Sequence, residues 1–261
     1  MRAPDRRAFY VRDATAFTTR TGDRAWLDRL VGGRWISDVI PYGVAQLLAT
    51  PAGADTLAGW IDGLHRAGAR VIVPIGGTDR LHALASWLAT HPATWIDGLV
   101  TEFEYWNQAD RAGALEDMLA LVRAMRAQAL DWQPRGHPVL VAAYLGYPTA
   151  AEAIQIAAAV DAVFLNYSVR APVAAWSYDH GGEDASPQRF AWFACAGRDI
   201  WPIFYAAGEV DMAAALTASW LTAAEHQFRA DMAAAPQPCA YRITGFAYFT
   251  LEALRAPAAW R

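Results

Sequence analysis

The chain has 261 residues, 55% hydrophobic and 18% charged, enough for a sizeable core and an ordinary length for one α/β barrel. A net charge of −4, with no lysine at all, leaves no electrostatic footprint for nucleic acid or an anionic membrane surface. No run is long and apolar enough to span a bilayer. The start, "MRAPDRRAFYVRDATAF", is basic but lacks the apolar stretch of a signal peptide, so a cytoplasmic protein is the expectation. Cys195 and Cys239 lie far apart without metal-ligand spacing and are expected as two unpaired buried thiols, a single disulfide being the alternative.

Short apolar runs alternate with longer helix-period segments along the whole chain. The strand-like runs begin with "AFYVRD" from Ala8, "WISDVIPYG" from Trp35, "ARVIVPIGG" from Ala69 and "WIDGLVTEFEYW" from Trp95. They continue with "PVLVAAYLGY" from Pro138, "VDAVFLNYSV" from Val160, "DIWPIFYAAGE" from Asp199 and "YRITGFAYFTL" from Tyr241. Helical sequence such as "ADTLAGWIDGLHRAG", closed by Gly68 as a C-terminal cap, separates them. Eight strands alternating with helices predict a (β/α)8 TIM barrel over residues 1–261 as one domain. A doubly wound sheet competes, but "RDATAFTTRTGD" after the first strand is a poor phosphate loop. The stretch "SVRAPVAAWSYDHGGEDASPQ" reads as a long loop after strand six. The short "FYAAGEVDMAAAL" leaves no room for an inserted α+β domain at strand seven.

Barrel active sites lie at the C-terminal ends of the strands. Those ends carry Asp13, Tyr42, Glu102, Glu104, Trp106, Tyr144, Tyr147, Asn166, Tyr167, Tyr205, Glu209, Tyr248 and Thr250. Glu102, Glu104 and Trp106, two residues apart in a strand, are expected on one face. Two neighbouring interior carboxyls imply either a wet face or a shifted pKa with a use. Aromatics around central acids suit stacking against sugar rings, so an oligosaccharide or glycoconjugate is the expected ligand. The six histidines show no ligand spacing, and neither a metal nor a cofactor is expected. No sequence feature bears on oligomeric state.

"IDGLVTEFEY" resembles the strand-four signature of glycoside hydrolase family 18, the chitinases and endo-β-N-acetylglucosaminidases, usually written FDGIDIDWEY. Asp97, Gly98 and Tyr105 match it, and Glu104 falls on the catalytic acid. "VIVPIGG" is similar to the SxGG motif, with Pro74 for serine. "LNYS" is similar to MxYD, with Tyr167 on the tyrosine, and "GFAYFTLE" puts Phe249 on the strand-eight tryptophan. In DxxDxDxE the middle aspartate is Val100 here and the third is the longer Glu102.

The resemblance implies retaining, substrate-assisted hydrolysis of N-acetylglucosamine-containing glycans. Glu104, its pKa raised by burial and by Glu102, would be the general acid/base. Glu102, opposite Tyr167, would orient the 2-acetamido group that attacks the anomeric carbon. Trp106, Asn166, Tyr144, Tyr205, Glu209, Tyr248, Phe249 and Tyr42 would bind the sugar. Three alternatives stand beside this: a retaining glycosidase using Glu104 with Glu209, a lectin-like barrel that no longer cleaves, and a different chemistry on the same scaffold.

Overall fold

In a computed structural model, the chain is described over residues 6–19, 21–33, 35–132, 136–166, 188–205, 222, 225–226, 228–230, 232–233 and 239–249. Its strands are β1 (Arg6–Val11), β2 (Asp38–Pro41), β3 (Arg70–Ile75) and β4 (Gly98–Thr101). They continue with β5 (Leu140–Leu145), β6 (Ala162–Asn166), β7 (Asp199–Tyr205) and β8 (Gly245–Phe249). All neighbours pair in parallel, and β8 returns to β1, so the sheet closes into an eight-stranded barrel. The expected (β/α)8 TIM-barrel architecture is what the chain forms.

The helices follow the chemistry of their ends and faces. In α4 (Pro51–Ala67), Leu57, Trp60, Ile61 and Leu64 repeat at helical spacing and are buried, making one apolar face. Its start is set by the Thr50 side chain, which accepts the Gly53 N–H at 3.1 Å, and by Pro51 in the first turn. It stops at Gly68, whose left-handed φ of 93° suits glycine. In α7 (Ala150–Ala159) the Thr149 hydroxyl and the Glu152 carboxylate cap each other's backbone N–H groups. The remaining helices among the described residues are α1 (Ala14–Thr19), α2 (Thr21–Gly32), α3 (Val44–Leu48), α5 (Thr78–Thr90), α6 (Arg111–Trp132) and α8 (Gln188–Cys195).

Strand alternation splits the apolar core in two. Ala8, Tyr10, Ile40, Ile72, Val100, Phe164, Trp201 and Ala247 fill the barrel interior. Their strand neighbours, such as Phe9, Val39, Leu99 and Tyr248, face the helices. At the N-terminal end, aspartates placed just before or at the strand starts tie the strands together. Asp97 accepts the Val71 N–H at 2.8 Å and meets His65 Nε2 at 2.8 Å, and Asp161 accepts the Val141 N–H at 2.9 Å. Asp97, which the family motif shares, thus sits at the end opposite the expected site. Trp95 lies between His65 and His137, with ring centroids 4.2 and 4.4 Å away.

The cysteines correct the expectation of unpaired thiols: Cys195 and Cys239 form a disulfide, with Cα atoms 5.1 Å apart. Barrel closure brings the end of α8 beside the segment leading into β8, although 44 residues separate them. Distance along the chain carried no information about this proximity.

Candidate active site

Glu102 reaches the C-terminal mouth because β4 pairing extends one step past its last strand residue. Its N–H donates to the Ile75 carbonyl at 3.1 Å, and it takes the inward position two beyond Val100. The chain then turns away. The Thr101 hydroxyl accepts the Phe103 N–H at 3.1 Å, the Tyr105 N–H donates to the Phe103 carbonyl, and Tyr105–Asn107 form one 3-10 turn. Glu102, Glu104 and Trp106 therefore do not share a strand face, which corrects that expectation.

The two acids end in opposite environments. Glu104 is exposed, and its Oε2 accepts from Asn107 Nδ2 at 2.8 Å within its own turn. Glu102 Oε2 accepts the Tyr42 hydroxyl at 2.6 Å, while its buried Oε1 has no hydrogen-bond partner among the described residues. Burial, with a smaller contribution from the Glu104 charge, pushes the Glu102 carboxyl up to about 8, against the opposing Tyr42 hydrogen bond and the nearby Tyr10 hydroxyl. The Glu102 carboxyl is thus half-buried with one oxygen shielded from water, whereas Glu104 faces solvent.

Glu102 lies on the wall of a cavity of about 330 Å³, with Tyr42, Arg12, Asp13, Gln46 and Arg80 among the lining side chains. Tyr10, Tyr42 and Phe249 cluster beside it, their ring centroids 5.6 to 6.1 Å apart. Arg12 covers the Phe249 ring at 5.7 Å. On another part of the mouth, Trp106 meets Tyr144 edge-on at 5.5 Å. Its indole occupies the space a Cβ on Gly146 would need, so a side chain there would displace it. Asn166 closes β6 and is buried, its carbonyl accepting from Arg189 Nη2 at 3.2 Å.

One expected rim residue is elsewhere. Tyr248 is fully buried on the outer face of β8, where its hydroxyl donates to Glu225, which also binds Arg7 through Nε at 2.6 Å and Nη2 at 2.7 Å. Alternation decides this, since Ala247 and Phe249 point inward and Tyr248 between them cannot. Tyr167, Glu209 and the loop after strand six lie outside the described residues, as does the side chain of Tyr205, whose backbone ends β7. Tyr10, Arg12, Gln46 and Arg80 were not singled out from the sequence. Alternation from Ala8 would have found Tyr10, but the helix-borne Gln46 and Arg80 carry no strand-end signal.

Among the described residues no cluster of His, Cys, Asp and Glu could hold a metal, and no helix is long and apolar enough to cross a membrane.

No family model and no curated protein matches the chain. Among solved structures it is similar to a GH18 chitinase from Pseudoalteromonas aurantia, at 10% identity over 98% of this chain and 97% of that one, with a TM-score of 0.53. It is also similar to a beta-glucosidase from Thermotoga maritima in complex with castanospermine, at 11% identity over 96% and 89%, with a TM-score of 0.54. At such identities the likeness is one of fold: the class is the TIM barrel, in a form that glycosidases also use.

Proposed function

We propose that the chain is a glycoside hydrolase whose site is the C-terminal mouth around Glu102. One observation carries the reading: a carboxyl raised to about 8 by burial, with the Tyr42 hydroxyl and, among the described residues, no arginine on it, stands in a cavity at the end of a barrel strand. Such a group keeps its proton at neutral pH and can give it to a leaving oxygen. The aromatic mouth suits sugar rings, and both solved structures named above, a chitinase and a beta-glucosidase, are glycosidases.

The finer reading follows the family 18 resemblance, with N-acetylglucosamine-containing substrates and attack by the 2-acetamido oxygen under retention. Within it the roles are exchanged relative to the motif: Glu102 is the proton donor, and the exposed Glu104 serves the rim. Turnover of a chromogenic N-acetylglucosaminide oligomer and of a chromogenic β-glucoside by Glu102→Gln and Glu104→Gln tests this. Glu102→Gln should lose about 100-fold or more. A Glu102→Gln enzyme as fast as wild type overturns the proposal, and a loss confined to Glu104→Gln restores the motif's own assignment.

A second reading is a sugar-binding barrel that no longer cleaves, favoured by Glu104 being held by Asn107 in a solvent-facing turn. Calorimetric binding of chitooligosaccharide with no cleavage after long incubation would decide for it.

A further inference from the structure

Strand register places Glu102 between two aromatic walls. Val100 is level with Pro74 of β3 and with Ala142 of β5. Glu102, two residues further on the same inward side, is therefore level with Gly76 on one flank and Tyr144 on the other. Towards β1, β2 and β3 lies the cavity of about 330 Å³ walled by Tyr42. Towards β5 stands Tyr144, with the Trp106 ring edge-on to it at 5.5 Å. Trp106 does not line the cavity, so the two walls are separate surfaces with the acid between them.

The second wall is built to hold one indole still. Trp106 Cε2, Nε1 and Cζ2 stand 2.6, 2.7 and 2.8 Å from where a Cβ on Gly146 would be, so the ring rests on the backbone just past β5. The residue before it, Tyr105, is fully buried, meets the indole edge-on at 5.4 Å and donates its hydroxyl to Glu152 Oε2 at 3.0 Å. Arg111 joins the same carboxylate, Nε to Oε1 at 2.7 Å, and reaches the Tyr147 carbonyl at 2.6 Å. The Thr149 N–H donates to Glu152 Oε2 at 2.7 Å. The turn carrying Trp106 is thus fastened to the segment after β5 both through its neighbour and through its own ring. The indole is nonetheless only partly buried, and its Nε1 has no hydrogen-bond partner among the described residues.

We infer that Trp106 is the platform for a second sugar ring, so that the substrate is an oligosaccharide with one ring in the cavity, the next against Trp106, and Glu102 at the bond between them. The inference rests on the carbohydrate reading of the site proposed above. An acid that protonates a glycosidic oxygen must stand at the junction of two rings, and positioning that junction takes a surface for each ring. A cavity of about 330 Å³ is near the lower bound for ligand sites, roughly 300 Å³, and fits one ring, not a chain. The apolar C–H face of a pyranose packs on an indole, whose Nε1–H is left to donate to a sugar hydroxyl. Gly146 is a positioning residue in this arrangement, because it sets where the indole lies. A ring fixed before the ligand arrives loses little further side-chain freedom on binding.

Calorimetry in a Glu102→Gln background, where turnover does not intervene, compares N-acetylglucosamine with chitotriose and glucose with cellotriose. In at least one series the trisaccharide should bind about tenfold or more tightly than its monosaccharide. Trp106→Ala should remove that advantage and leave monosaccharide affinity within about twofold, since the cavity lies on the other flank of Glu102. Gly146→Ala keeps the indole but displaces it, and should also remove the advantage, whereas Trp106→Phe should recover part of it. Equal affinity for monomer and trimer, or an advantage that survives Trp106→Ala or Gly146→Ala, overturns the inference. So does binding of no sugar by the variant or by wild type. Monosaccharide binding lost together with the advantage would make Trp106 a structural prop, which also overturns it. Failure here is separable from failure of the hydrolase reading. Chromogenic monoglycosides cleaved through Glu102, with no oligomer advantage, would leave a hydrolase with a single ring site, whereas cleavage unaffected by Glu102→Gln would remove the hydrolase reading itself.

Discussion

The two ends of the barrel interior each hold an acid, Asp38 buried and Glu102 half-buried, and the difference between them separates stability from chemistry. At the N-terminal end, Asp38 accepts from Arg6 at 2.6 Å, Arg70 at 2.7 Å and the Ser37 hydroxyl at 2.6 Å. Burial raises it to about 6, with the Arg6 charge opposing, so at neutral pH it is ionised and paired. Glu102, at the C-terminal end, has a tyrosine where Asp38 has arginines, and burial goes largely unopposed to about 8. A cation-clamped acid holds strands together, and one left protonated in a cavity is available to a ligand. The disulfide, too, lies at the end that stabilises, joining α8 to the entry of β8.

The largest effect should come from breaking the lower clamp. Asp38→Ala leaves Arg6 and Arg70 without their acid and should cost about 3 kcal/mol, the low end for a broken buried pair because both arginines are partly exposed. Urea unfolding at pH 7.5 measures it, while saccharide binding at the mouth should persist in the folded fraction. Loss of binding without loss of stability would reverse the roles assigned to the two ends.

Next in size, reducing Cys195–Cys239, or replacing both cysteines by serine, should cost about 2–4 kcal/mol by freeing the 44-residue loop in the unfolded chain. Thermal unfolding with and without reductant reads the loss. Binding at the mouth should be unchanged, since neither cysteine lines the cavity.

A third effect is confined to the upper acid and depends on pH. Between an ordinary value of 4.5 and about 8, the folded chain keeps the Glu102 proton and the unfolded chain releases it. The unfolded state then binds fewer protons, so stability falls as pH rises through this window and levels off above about 8. Asp38 acts with the same sign but between 3.8 and about 6. From pH 6 to pH 9, wild type should therefore lose about 2 kcal/mol more than Glu102→Gln. Parallel stability curves for the two proteins would mean that Glu102 is ionised throughout.

How much of this was legible in the sequence depended on how local the cause was. The eight strands could be read because each carries its own alternation, as in Ala8 and Tyr10 facing in with Phe9 facing out. Glu102 could be found for the same reason. The strand-like appearance of "TEFEYW" misled about Glu104 and Trp106, because one hydroxyl, that of Thr101, ends the strand by taking the Phe103 N–H. Tyr248 was misplaced by one step of alternation, and its partner Glu225 lies 23 residues earlier in the chain. The disulfide and Arg80 depend on which helix ends the closed barrel brings together, and no window of sequence contains that.

The smallest change bears most directly on Glu102. Tyr42→Phe removes one hydroxyl, with a stability change of about 1 kcal/mol. That hydroxyl favours the charged carboxylate, so without it the Glu102 carboxyl should rise above about 8. If Glu102 is the proton donor, kcat/KM of wild type should fall as pH rises through about 8, and in Tyr42→Phe the same fall should move to higher pH. Phe249 and Tyr10 pack on the Tyr42 ring, which phenylalanine keeps, so the cavity wall should hold its shape. A profile that stays in place while stability shifts would assign the proton to another group and leave Glu102 as a half-buried acid held by a tyrosine, closer in kind to Asp38 than its position suggests.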